Sequence, residues 1–358
     1  MNPAASGAAP LPTLLVIPTG IGCEQGGYAG DGLPAARLLA AASGCLITHP
    51  NVMNGAALYW SDPRIHYVEG SALNGFARGD LALQPRRLQR VGLLLDAGIE
   101  TELRQRHLQV ADACRATLGL DIGPVVTTEM PLGVCLQRAA SGASWGGLDR
   151  PELLLRAGEQ LVAEGATAIA VVARFPEDPH SEALTAYRQG SGVDALAGAE
   201  AVISHLLSAH LAIPCAHAPA LSPLPLDPAL DPRAAGEELG HTFLPCVLVG
   251  LSRAPDLVPL HGPLPGGSAA LGANAQRLHP DQLGAVVAPA GALGGEAVLR
   301  CAERGVPVIA VHNPCLLEVS ADALGLDAMA ASSYAEAAGM VLALREGVHL
   351  PSLQRPFH

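Results

Sequence analysis

Not one lysine occurs in the chain: all 21 basic residues among its 358 are arginine. The wealth of Ala, Gly, Pro and Arg is that of GC-rich coding, but the chemical consequence holds whatever the cause. Without an ε-amine, no Schiff base can form with pyridoxal phosphate or with a carbonyl substrate. A P-loop lysine and a kinase strand lysine are excluded as well, and so is serine–lysine hydrolysis. Aromatic residues are scarce at 3% and charged ones at 15%. Scattered arginines, few rings to stack on bases and a net charge of −12 argue against a nucleic-acid partner. Long apolar runs are also missing. Leu14–Ile17 and Ala168–Ala173 are far too short to span a bilayer. The opening MNPAASGAAPLP lacks the basic segment and apolar stretch of a secretory signal. These absences predict a cytoplasmic protein with no membrane contact.

What is present is a large apolar fraction, 49%, punctuated by 40 glycines and 30 prolines spread between short runs. Strands are predicted at 14–18, 45–49, 65–69, 91–95, 124–128, 168–174, 243–250, 285–289 and 307–311. Helices are predicted at 32–43, 101–118, 151–164, 197–211, 232–239, 294–304 and 334–346. In 101–118, Leu103, Leu108, Ala111 and Leu118 can share one face. Near-continuous apolar strands separated by helices predict an α/β fold: a mostly parallel sheet, or sheets, with helices on both faces, built from Rossmann-like βαβ units in one or two lobes. The clearest unit is 285–311, where AVVAP runs into the turn Ala290-Gly291-Ala292-Leu293-Gly294-Gly295 and a helix.

Residues 1–12 read as a mobile tail and 13–253 as the main α/β domain. The Pro/Gly-rich stretch 254–284 reads as a linker or active-site loop, and 285–358 as a C-terminal βαβ unit packed on the main domain. The eight cysteines have no CxxC spacing and sit mostly in apolar segments, so they are expected to be reduced and buried. Low charge content points to a homo-oligomer.

Four constellations stand at expected strand ends or in glycine-rich turns. The first is Pro18-Thr19-Gly20-Ile21-Gly22-Cys23-Glu24-Gln25-Gly26-Gly27-Tyr28-Ala29-Gly30-Asp31. Its glycines, with Thr19, either bring backbone N–H groups to an anion beside the next helix N-terminus or serve only a tight turn. Glu24 and Asp31 are candidate proton carriers, although carboxylates before helices are commonly caps. The second runs from Thr48 to Gly55, where His49 is a candidate acid–base group and Asn51 and Asn54 could orient a carbonyl or carboxylate. Alternatively, these side chains satisfy loop backbone. The third pairs Cys215 and His217 with His312 and Cys315, a tetrahedral zinc set by residue type but not by spacing. The fourth is the loop with Ser141 and Ser144. Its GASWG spaces a serine as in a hydrolase elbow, yet no apolar helix follows at once. Arg174, Ser252 and Arg253 are candidate anion clamps, with surface ion pairs as the alternative for the arginines. Asp96 and Glu100 are candidate bases or hard-cation ligands. Cys23 or Cys45 with Cys246 would be a racemase-like pair.

The segments PTGIGCEQGGYAGD, ITHPNVMNGAALYWSDPRI, LRQRHLQVADACRATLGLD, SGASWG, PCAHAPALSPLPLD and FLPCVLVGLSRAP resemble those of a cyanobacterial protein family defined as a domain of unknown function. The resemblance runs from about Leu14 to Leu326. It implies a cyanobacterial-type cytoplasmic protein and carries no reaction, cofactor or catalytic residue. The residues themselves predict a small-molecule enzyme of lyase, isomerase or hydrolase type, acting on an anionic carboxylate- or phosphate-bearing metabolite. The alternatives are a metabolite or nucleotide sensor and a scaffold or assembly protein. No particular cofactor is indicated.

Overall fold

The computed structural model describes residues 8–54, 62–238, 243–261 and 277–353. Fourteen strands follow one another among them. They are β1 (Thr13–Leu15), β2 (Leu46–Thr48), β3 (Ile65–Tyr67), β4 (Leu81–Gln84), β5 (Val91–Leu95), β6 (Ile122–Thr127) and β7 (Val134–Arg138). After these come β8 (Ser144–Leu148), β9 (Ala168–Arg174), β10 (Cys215–Ala220), β11 (Asp256–Pro259), β12 (Ala285–Pro289), β13 (Val308–Val311) and β14 (Met329–Ala331).

Six of them form one parallel sheet in the order β14-β13-β12-β1-β2-β3. Four more form a second parallel sheet, β10-β9-β5-β6. The fold is therefore α/β, as the apolar runs imply. The chain enters and leaves the second sheet through β4 and β11, which pair with each other antiparallel. The segment 285–331 is thus no appendage: β12 lies beside β1, and the N- and C-terminal stretches build one sheet around the insertion. Of the expected loop at 254–284, Asp256–Pro259 is strand β11 and 262–276 lies outside the described residues. Of the expected tail, residues 1–7 lie outside them too. Residues 8–12 are fastened, with Leu11 N–H on the Ser43 carbonyl at 2.8 Å and Arg345 on the carbonyls of Ala8 and Ala9.

Strands β5 and β12 are buried at every position because helices cover both faces of each sheet. On the first sheet, Leu33–Ser43 and Tyr334–Arg345 pack against each other on one face, and Gly70–Arg78 and Glu296–Glu303 on the other. On the second, Pro151–Ala163 and Ala197–Leu211 cover one face, and Thr101–Leu118 and Phe243–Ser252 the opposite one. Along Thr101–Leu118 the buried face is Ala111 and Cys114 with Leu103 and Leu108 partly covered, while Leu118 is exposed beside the helix-ending Gly119.

The segment 243–250, expected as a strand, is a helix, Phe243–Ser252. Its most deeply enclosed side chains include Leu244, Val247, Leu248 and Leu251, the three-and-four spacing of a helix. An all-apolar run cannot display that period in sequence, since every position is hydrophobic. This helix meets β9 and β10 of one sheet and lies against Tyr67 of β3 in the other at Gly250, so the two sheets share a core.

Candidate functional site

The strand order places β1 and β12 at the centre of the first sheet with the connections diverging, the usual ligand crevice of a doubly wound fold. Here that crevice is filled by the chain itself. Residues 315–319 bridge Cys23 and Ala292, and the Val319 and Glu318 side chains press on Gly294 and Gly291. The open space lies to one side, beyond the carboxyl ends of β1–β3, where the first sheet faces the second. This cleft holds a cavity of about 110 Å³. Thr19, His49, Asn51, Asn54 and Glu69 line it from the first sheet, and Asp194, Glu200, Ser204, His205, His217 and Glu237 from the insertion.

His49 follows β2 directly and leads into the short helix Pro50–Met53. Its Nε2 accepts the Ile17 backbone N–H at 3.1 Å, which places the proton of the neutral ring on Nδ1. Burial pushes its pKa down to about 4 against the opposing pull of the Glu69 charge. The ring is therefore a neutral hydrogen-bond donor. Asn51 donates to the Gly26 carbonyl at 3.0 Å, and Asn54 accepts the Tyr67 hydroxyl at 3.0 Å. Both asparagines hold the rim as well as line it. Gly55 lies outside the described residues.

Glu69 ends the turn after β3 and is only 2% exposed at its side chain. One carboxylate oxygen, Oε2, accepts the N–H groups of Ser71 and Ala72 at the start of Gly70–Arg78 (2.9 and 3.4 Å). Oε1 lies 3.0 Å from His205 Nε2. Burial pulls His205 down, but the hydrogen bond and charge of Glu69 outweigh it, and its pKa is raised. A Cβ on Gly70 would lie 2.6 Å from that nitrogen, so the absent side chain makes room for the pair.

On the far wall, His217 Nδ1 is 3.0 Å from Ser204 Oγ and its Nε2 3.6 Å from Glu200 Oε2. Asp194 is pushed up to about 7 by burial and the Glu200 charge, and Glu237 up to about 8 by burial and the Asp194 charge. Asp194 and Glu237 therefore hold protons near neutrality and titrate as a coupled pair. Tyr187 donates to Glu237 at 2.7 Å and stacks on Tyr28 with ring centroids 4.3 Å apart, under the Arg233 guanidinium. None of these second-sheet residues was singled out by motif as part of this wall. One signal existed: Glu200, Ser204 and His205, with the small Ala197 and Ala201, recur at three-and-four spacing and so share one face of this helix.

Thr19, His49, Asn51 and Asn54 do reach the cleft. In the glycine loop, the missing side chains are required by close packing. A Cβ on Gly20 would lie 2.7 Å from Ser144 Oγ, on Gly22 2.6 Å from Leu316, on Gly26 2.6 Å from Ile17, and on Gly27 in collision with the Cys23 carbonyl. These glycines let the loop pack closely. Exposed Glu24 does not line the cleft; its N–H caps the Pro314 carbonyl. Asp31, raised to about 6 by burial, turns back on the Tyr28 N–H at 3.2 Å. Ser141 is in the β7–β8 turn and Ser144 in a hairpin strand, so no strand-to-helix elbow forms.

Arg174 is taken by Glu100 and Glu177, and Ser252 Oγ donates to the Val249 carbonyl at 2.7 Å. Neither they nor Arg253 lines the cleft, and no described arginine does. Asp96 accepts N–H groups of Gly98, Leu132 and Arg174, which fixes the β5 edge. Cys215 and His217 belong to β10, whereas His312 and Cys315 follow β13. No group of three or more metal-binding side chains occurs among the described residues. The Cys23 thiol lies 2.8 Å from Cys315, and Cys45, just before β2, and Cys246, in Phe243–Ser252, are both buried.

A family model described as a protein of unknown function, DUF3326, matches residues 12–354. The chain belongs to this family. Among relatives of this DUF3326 protein is an uncharacterized lipoprotein of Synechococcus, 54% identical over 339 residues, which cover 94% of this chain and 92% of the relative. The cytoplasmic location expected from the sequence is corrected here: a relative this similar bears the name of a lipoprotein, and the assignment is withdrawn. No helix among the described residues is long and apolar enough to cross a membrane.

Proposed function

We propose that this DUF3326 protein is a small-molecule enzyme of acid–base type, a lyase, isomerase or hydrolase, working in the cleft between its two parallel sheets. The observation that carries this reading is the convergence of three histidines and four carboxylates on one small cavity. Clefts with perturbed titrating groups are the usual setting of proton-transfer chemistry. His49 supplies a neutral donor for a carbonyl or hydroxyl oxygen, in the manner of an electrophilic imidazole. Opposite it, Asp194 and Glu237 offer a shared proton, and Glu200, His217 and His205 add hydrogen-bonding groups to the same wall.

This lining also changes the ligand class. With no described arginine among the lining residues, an anionic metabolite meets no guanidinium partner there. A small polar molecule carrying an amine or several hydroxyls, with an acceptor oxygen at the His49 end, suits the cavity. Native mass spectrometry against the denatured mass tests this directly. A retained amine or polyol supports the reading, and a retained phosphate or carboxylate ester overturns its ligand class. Binding without turnover of the identified ligand, with Glu200→Gln no different from wild type in proton exchange, would favour the sensor reading instead.

A further inference from the structure

The loop after β1 and the loop after β13 lie side by side in one antiparallel register. Glu24 N–H donates to the Pro314 carbonyl at 2.8 Å, and Leu316 N–H to the Gly22 carbonyl at 3.2 Å. Asn313 closes the next step, accepting the Gln25 N–H at 2.9 Å and donating to the Gln25 carbonyl at 2.8 Å. Its amide also donates to Tyr334 Oη at 3.0 Å, which anchors the ladder in the core. At the centre, Cys23 and Cys315 form the bridge pair. Directly opposed residues of an antiparallel pair hold their Cα atoms about 4.5–5.5 Å apart, inside the range a disulfide spans. Their sulfurs are 2.8 Å apart as free thiols.

We infer that Cys23 and Cys315 form a redox-active dithiol, which a disulfide-bearing co-substrate converts into a cross-link between these two loops. The two thiols are unlike. Cys23 is 2% exposed, whereas Cys315 is only half-buried and reachable. The hydrogen bond from Cys23 lowers the Cys315 pKa and raises that of Cys23, which makes Cys315 the attacking group. Its thiolate attacks one sulfur of the co-substrate, forming a mixed disulfide and releasing one thiolate. Cys23 then gives up its proton to that leaving thiolate and attacks the Cys315 sulfur, releasing the second half as a thiolate that is protonated from solvent. Two protein thiols are oxidised, and one external disulfide is reduced to two thiols.

No backbone movement is needed, because the ladder already fixes the register on either side of the pair. The same loop carries Thr19 and Ala29 into the cleft, so oxidation would tether one wall of the cavity. The inference does not rest on the chemistry proposed for that cavity.

The test treats the intact protein with glutathione disulfide, quenches with acid, alkylates and maps the peptides. The expected result is joint loss of alkylation at Cys23 and Cys315, a peptide pair linking the two, and reversal by dithiothreitol. In Cys23→Ser, Cys315 is expected to retain glutathione, because the resolving thiol is gone. Half-buried Cys135 is the internal control and stays outside the link. Full alkylation of both cysteines after treatment overturns the inference. So does wild-type protein in which Cys315 accumulates glutathione while Cys23 stays free.

Discussion

His205 Nε2 stands 3.0 Å from Glu69 Oε1, and the other oxygen of that carboxylate caps the helix that begins at Gly70. One side chain thus joins a helix of the first sheet to a helix of the second at the lip of the cleft. Replacing it with Gln removes the charge that both partners use. Glu69→Gln is expected to cost about 1–3 kcal/mol, from a lost charge-assisted cap and a lost pair. Chemical denaturation reads the cost.

The same pair makes a pH prediction. The His205 pKa is raised in the folded protein relative to an unperturbed imidazole. The folded state therefore holds its proton more tightly, so the stabilisation is complete below about 6.5 and is lost as pH rises through the folded value. A wild-type stability profile that declines through this window, and a flatter one in Glu69→Gln, is the expected outcome. Identical slopes would remove the pair from the account.

His49 runs the opposite way. Its pKa falls to about 4, so the unfolded chain binds the proton first as the solution is acidified. Stability from the neutral ring is present above about 6.5 and is lost as pH falls towards 4. Nitrogen-15 shifts of the ring check the underlying geometry: a proton on Nδ1 that persists to pH 5 is expected. A ring that titrates near 6.5, or carries its proton on Nε2, would show that Ile17 does not hold it as described.

How far all this could be read from sequence depends on where the determining contacts are. Strands such as VGLLL, AIAVVAR and AVVAP are buried on both faces, so hydrophobicity alone marks them. Strands β4 and β11 pair with each other although Gln84 and Asp256 are far apart in the chain, and LALQ and DLVP carry no local signal of that partnership. FLPCVLVG is legible as buried but not as helical, because burial on all sides erases the period. The cleft divides in the same way. Thr19, His49, Asn51, Asn54 and Glu69 follow strands and could be found by that rule, whereas Asp194, His205 and Glu237 join them only when the inserted sheet folds back. The glycine loop stays ambiguous in sequence because close packing and anion binding demand the same residue.

That last ambiguity yields a direct test at Gly27. A methyl group there would collide with the backbone carbonyl of Cys23, which cannot swing aside as a flexible side chain would. Gly27→Ala is expected to destabilise by about 1–3 kcal/mol, the usual range for overpacking. Phosphate added to wild type or variant should shift neither melting temperature. A phosphate-dependent shift that Gly27→Ala abolishes would restore the loop to an anion-binding role.

Glu237 offers the sharpest separation of function from stability. Burial and the neighbouring Asp194 charge raise its pKa to about 8, so the folded protein binds a proton that the unfolded carboxylate has released. The contribution is complete below the unfolded value near 4.5 and is lost as pH rises through the folded one, which leaves a buried, crowded charge at pH 9. Glu237→Gln keeps an acceptor for the Tyr187 hydroxyl and removes that charge. The variant is expected to melt a few degrees above wild type at pH 9, with the gap closing as pH falls to about 4.5, while losing affinity for an amine or polyol ligand. Site residues held at a cost to the fold commonly behave in this way. Equal melting temperatures at pH 9 would mean that the carboxylate is better solvated than its surroundings indicate. A variant that also kept full ligand affinity would place the chemistry on the His217–Glu200 side of the cleft alone.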